Sequence, residues 1–332
     1  QRFINMYYTI YTTMQIRKLV KSGLSSYTIA LPKDWIDRNT LKKGDLLYIN
    51  ETPQNELLIA KEAKKQEKER REVVINIDGK KPHTIYREIV STYLTDFHRF
   101  IIKGQSLNKN IKDIRKLIYI LPALEIVEES SSKVVARSFL DVYDISIKDL
   151  IRRMDNIIRS MILDVKNMLG GESIHEIIIE RDEDINRLSY LVFKILKSAF
   201  TNPDVMTSLD LTKLETLSYW QVTVHLEKIG DEVKRVARHI GESPKSISQA
   251  QLKSLIEKVY SYYVESMTSF YKQDKIGADD VCLKRKSLAI ECDKYFISHR
   301  NIVNSEISGK FKGMLSHLID ITRLVRYLGE SP

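Results

Sequence analysis

The chain has 332 residues, 43% hydrophobic and 29% charged, with a formal charge of +9. That length predicts two or three domains, and the composition excludes a disordered chain. No apolar run approaches the roughly 20 residues of a membrane-spanning helix, Lys194 and Lys197 interrupt the richest stretch, Leu188 to Phe200, and the opening residues carry no secretory pattern. The two cysteines, Cys282 and Cys292, fall in one helical-looking segment, about 15 Å apart along its axis and beyond disulfide reach. Reduced thiols in a cytoplasmic protein are the expectation.

Residues 1–13 are rich in tyrosine and read as an N-terminal extension. From Met14 a ββαββ unit is predicted. Gln15 to Val20 reads as a strand, Lys21-Ser22-Gly23 as a turn, and Tyr27 to Leu31 as an alternating strand. Pro32 opens a helix over Lys33 to Asn39. Lys42-Lys43-Gly44-Asp45 forms a turn, then strands Leu46 to Ile49 and Leu57 to Ala60 flank a turn at Pro53 to Asn55. A unit of residues 14–60 is too small to bury much core alone and is expected to interleave with a twin.

Residues 61–72 are nearly all charged and read as a solvated connector. Residues 73–144 carry the order βαβαββ: strand Val73 to Ile77, helix Pro82 to Phe97, strand Arg99 to Ile102, helix Asn110 to Ile120, and a hairpin of Leu124 to Val127 with Val134 to Phe139. That order predicts a small α/β unit with one open sheet. Residues 145–332 are helical, broken at Gly170-Gly171, Asn202-Pro203, Gly241 to Pro244 and Gly277, which predicts five or six long antiparallel helices. The pattern R-x-x-R-x-[IL]-G-E-S occurs from Arg235 to Ser243 and again from Arg323 to Ser331. Two similar three-helix halves follow from it.

Two constellations could carry function. Between Gln15 and Lys43 the cations Arg17, Lys18, Lys21, Lys33, Arg38, Lys42 and Lys43 face only Asp34 and Asp37. Cations beside a Gly/Ser turn suit a phosphate backbone, and an ordinary solvated basic face is the alternative. The second constellation is acidic. Glu227 and Asp231 are spaced i, i+4 on one helix face, and Glu180, Asp182, Asp184 and Asn186 crowd a preceding helix. Facing carboxylates could hold a hard or borderline cation, and a solvated acidic face is the alternative. His83, His98, His175, His239, His299 and His317 show no ligand spacing among themselves, and His225 points away from Glu227 on their shared helix. No nucleophilic triad is readable.

The run K-S-G-L-S-S-Y-T-I-A-L-P-K-D-W followed by L-K-K-G-D resembles the AbrB/MazE swapped-hairpin family over Gln15 to Ala60. The resemblance implies an intertwined homodimer that contacts DNA through Arg17, Lys18, Lys21, Ser22, Ser25 and Lys33. Leu24 departs from the polar turn residue common in MazE relatives. The segments L-E-x-I-G-D and R-D-E-D-I-N-R-L resemble the third and second helices of the PhoU phosphate-signalling family. That family's fold is two three-helix repeats whose E/D-x-x-x-D motifs form metal sites. The implied ligands of a divalent or ferric ion are Asp182, Asn186, Glu227 and Asp231. Asn186 stands where a carboxylate is expected, with Glu180 and Asp184 as a fallback pair. Near Cys292, Glu291 and Asp293 have the wrong spacing and Asp320 lacks a carboxylate four residues before it, so at most one such site per chain is expected.

The whole order from Met14 resembles the archaeal-type AbrB–PhoU phosphate uptake regulators. It implies a DNA-binding, phosphate-responsive regulator and not an enzyme. One alternative is a signalling adaptor whose bundle docks on a phosphate-transporter ATPase or a kinase. A metal-dependent phosphate-ester hydrolase is third.

Overall fold

Tyr27 opposite Lys21 and Ile59 opposite Ile49 show how the N-terminal segment pairs its short strands. The computed structural model describes residues 15–51, 56–61, 71–95, 97–171, 174–242 and 247–327. The extension 1–13, most of the connector 61–72, the turn at Pro53 to Asn55, residues 243 and 244 of the expected break from Gly241 to Pro244 and the ends of both repeated R-x-x-R segments lie outside these residues, whereas Gly241 is described and helical. The chain divides into two compact units between residues 61 and 71.

The first unit holds two hairpins and a helix. Strand β1 (Val20–Ser22) pairs antiparallel with β2 (Ser26–Thr28). The turn between them is Gly23-Leu24-Ser25, one residue pair later than expected, and Gly23 takes the left-handed φ of +82° that favours glycine. Pro32 precedes α1 (Lys33–Arg38), and its carbonyl accepts from Trp35 N and Ile36 N at 3.1 and 3.2 Å. Asp45 closes the next turn by accepting from Lys42 N at 2.7 Å. Strands β3 (Tyr48–Glu51) and β4 (Leu57–Ala60) pair antiparallel.

The expected strands Gln15 to Val20 and Tyr27 to Leu31 are therefore shortened. A strand needs a hydrogen-bonding neighbour, and among the described residues Gln15 to Leu19 have no pairing strand. None of the described residues between 15 and 61 is buried.

In the second unit, β5 (Glu72–Asn76) runs parallel to β6 (Arg99–Lys103), which pairs antiparallel with β8 (Lys133–Ser138), itself antiparallel to β7 (Leu124–Glu129). The sheet order is β5-β6-β8-β7. The parallel step needs a crossover, which α2 (Pro82–Tyr93) supplies. α3 (Leu107–Ile120) lies beside it. Ile75, Phe100, Ile102, Val134 and Ala136 from the sheet and Ile85, Ile89, Tyr93, Ile114 and Leu117 from the helices form one core.

The helical part contains α4 (Ile147–Met168), α5 (His175–Thr201), the short α6 (Pro203–Ser208), α7 (Lys213–Glu242), α8 (Gln249–Lys272), α9 (Lys275–Ser298) and α10 (Ile302–Tyr327). Helix starts follow local capping chemistry. Ser146 Oγ accepts from Asp149 N, and Thr212 with Glu215 forms a reciprocal capping box ahead of α7. Gly277 does not break a helix as expected but sits in the first turn of α9. Gln273 ends α8 with φ +52°, and Asp274 caps α9 by accepting from Gly277 N at 3.0 Å.

α4, α5 and α7 pack on one another, as do α8, α9 and α10, and the long α7–α10 contact joins the two groups. One continuous core runs through both. The α/β layer is anchored on α5. Tyr190 packs against its core, Tyr86 and Tyr190 hydroxyls hydrogen-bond at 2.8 Å, and buried Lys194 Nζ donates to Tyr93 O at 2.7 Å. No helix of the described residues is long and apolar enough to cross a membrane.

Candidate functional site

Asp182 and Asn186 on α5 lie one turn apart, as do Glu227 and Asp231 on α7. The helices pack closely here because of Gly230. A Cβ at that position would stand 2.7 Å from Ile185 Cδ1 and 3.9 Å from Asp182 Oδ1. The close crossing brings the four expected ligands onto one seam. Asn186 Nδ2 approaches Asp182 Oδ2 at 3.4 Å. Asp182 and Asp231 share the Lys234 ammonium, at 2.5 and 2.7 Å. Glu180 and Asp184 are exposed and face away from this seam.

The electrostatics follow from burial. Asp182 is only 4% exposed, and desolvation raises its pKa despite the hydrogen bond from Lys234. Glu227 is also raised, first by burial and then by Asp231 and Asp182. Burial works against the charge of Lys234, but hydrogen bonds to Asp182 and Asp231 hold its pKa above the ordinary lysine value. Arg235 Nη2 adds a second cation on Asp231 at 3.1 Å. Carboxylates brought this close would repel one another, and Lys234 and Arg235 relieve that repulsion within the chain. A metal ion would use these four residues only by displacing Lys234. That displacement is the chemical condition the cluster sets.

A different group emerges where α7 meets α10. His225, His317 and Asp320 each offer a ligand atom, and these atoms all lie within 4.8 Å of one another. The two Nδ1 atoms are 3.3 Å apart. Both imidazoles are held below the usual histidine pKa, first by burial; Lys228 pushes the same way and Asp320 opposes it. The only local signal in the sequence is the i, i+3 pair His317 and Asp320. The third member comes from another helix, so spacing alone missed it. Neither Glu291 nor Asp293 joins a cluster: Lys258 and Lys294 hold Glu291, and Lys312 holds Asp293.

In the first unit, Arg17, Lys18, Lys21, Ser22, Ser25 and Lys33 are all exposed. Lys21 and Ser22 lie on β1, Ser25 on the turn, and Lys33 begins α1. Arg17 Nη2 donates to Gln15 Oε1 at 2.6 Å.

Residues 151–240, from the second turn of α4 to near the end of α7, match the family model described as PhoU domain. The crystal structure of PhoU from Pseudomonas aeruginosa is similar at 17% identity and a TM-score of 0.45, covering 55% of this chain and 94% of that one. No curated protein matches the chain.

Proposed function

We propose that this chain is a cytoplasmic, phosphate-responsive regulator that dimerises and binds DNA through its N-terminal unit, and that it is not an enzyme. The PhoU domain match over residues 151–240 carries the phosphate-homeostasis part of this reading. The basic hairpin supports the DNA-binding part. Its six contact residues are exposed, and its surface cations outnumber its carboxylates. Exposed Lys and Arg beside a Ser-bearing turn neutralise phosphates and release counterions.

Dimerisation is supported by what the first unit lacks. Its described residues include none that is buried, while Ile16, Leu24 and Leu46 are 88, 98 and 82% exposed. A second copy of the same hairpins is the occupant that the AbrB/MazE resemblance implies. Coupling is then a linkage effect. Any ligand that binds the bundle more tightly in one dimer geometry changes DNA affinity by the same factor that DNA changes its own. The acidic seam is one place for such a ligand, where a divalent or ferric ion would compete with Lys234.

The test is fluorescence anisotropy of duplex DNA with the full chain, with and without inorganic phosphate. Lys18→Ala with Lys21→Ala should weaken binding to all sequences and reduce the salt slope by about one to two. Absence of DNA binding at low salt overturns the regulator reading. It would favour an adaptor that docks on a transporter ATPase or a kinase.

A further inference from the structure

Contact between α7 and α10 joins the two helical groups of the bundle, and His225, His317 and Asp320 stand on that contact. The repeat that aligns Arg235 with Arg323 also aligns His225 with Gly313, His317 with Ile229 and Asp320 with Glu232. The imidazoles therefore lie on one side of the α7–α10 seam only. The equivalent place on the other side holds Gly313, Ile229 and Glu232 and offers no imidazole. It is a local specialisation of this seam and no product of the repeat.

We propose that His225, His317 and Asp320 bind one divalent transition-metal ion of the zinc type, tying the last helices of the two groups together. Geometry carries the assignment. Zinc–nitrogen bonds are about 2.0–2.1 Å, so two nitrogens on a tetrahedral ion sit roughly 3.3–3.4 Å apart. The two Nδ1 atoms are 3.3 Å apart, and the carboxylate of Asp320 closes the triangle within 4.8 Å. A hydrogen bond between the rings accounts for the nitrogen separation alone. It does not account for a carboxylate brought to the same point.

The donor set selects the ion. Two imidazoles and one carboxylate favour zinc, cobalt or nickel over magnesium or calcium, which prefer oxygen ligands. Three protein ligands leave a position for water or an exchangeable anion. Arg323 Nη1 donates to Asp320 Oδ1 at 3.2 Å, an outer hydrogen bond that orients the carboxylate. The acidic seam differs in that the Lys234 ammonium already sits between its carboxylates. Here Arg323 contacts one oxygen of Asp320 at 3.2 Å, and Lys228 acts on the imidazoles through its field. This site does not depend on the phosphate reading.

The experiment uses the full chain without a histidine tag, stripped by chelator and titrated with Co²⁺ and then Zn²⁺. One Co²⁺ per chain should give visible d–d absorption that Zn²⁺ abolishes and millimolar Mg²⁺ does not. Zn²⁺ should also raise the melting temperature by mass action. Co²⁺ affinity should weaken at least ten-fold and the Zn²⁺-dependent rise in melting temperature should shrink in His317→Ala and in Asp320→Asn, while both persist in Glu227→Ala with Asp231→Ala. Asp320 is only half-buried, so Asp320→Asn keeps the test decisive should His317→Ala not fold. A wild type with no Co²⁺ spectrum overturns the proposal. So does a spectrum that survives Asp320→Asn, or one lost in the Glu227/Asp231 variant.

Discussion

Lys234 is the residue on which the acidic seam turns. Its side chain is 30% exposed and spans from Asp231, one turn behind it, to Asp182 on α5. Removing a partner from a buried carboxylate leaves that group's desolvation unmatched, at a cost of about 1–3 kcal/mol. Lys234→Met should therefore lower the melting temperature in chelator. Adding Asp182→Asn should recover most of the loss, because the neutral amide no longer needs the ammonium. Lys234→Met should also open the seam to added Mn²⁺ or Fe³⁺. A Lys234→Met protein as stable as wild type would contradict the role assigned to this pairing. The carboxylates were legible from their i, i+4 spacing. Their neutralisation was not, because Lys234 and Asp182 are 52 residues apart in sequence and meet only through packing.

Among the elements, α5 and α7 illustrate how one small residue sets a helix crossing. Gly230 is buried, and an added Cβ would press on Ile185 Cδ1 at 2.7 Å. Gly230→Ala gains helix propensity of about 1 kcal/mol, but overpacking typically costs about 1–3 kcal/mol. A net loss of about 1 kcal/mol is expected. Ile185→Val removes the clashing methyl and should cost about 0.5–1.5 kcal/mol alone. Together the two changes should cost less than their sum, which urea denaturation of the four proteins checks; strict additivity would refute the clash. The repeat makes a related point. Leu315 and Ile319 on α10 take the places of Glu227 and Asp231 on α7, and both are buried. Apolar residues there leave no second acidic seam to build.

Across the whole chain, the described residues of the N-terminal unit form strands and turns, and none of them is buried. Analytical ultracentrifugation of the full chain should show a dimer at micromolar concentration. Replacing exposed Leu46 and Leu57 with Glu should shift it to monomer while leaving the helical circular dichroism intact, since burying charge at a paired apolar face is costly. A wild-type chain that sediments as a monomer would refute the interleaved reading.

Much of this fold is readable from residue order because its signals are local. Apolar periodicity marked the long helices, turn residues marked the hairpins, and the βαβαββ order was readable because each element signals through its own neighbours. Features that depend on a distant partner took shape only through packing. Strand ends shortened at Gln15 to Leu19 because pairing is non-local, and Gly277 became part of a helix start because Asp274 caps it. His225 joined His317 and Asp320 because α7 and α10 pack face to face, which no spacing within either helix specifies.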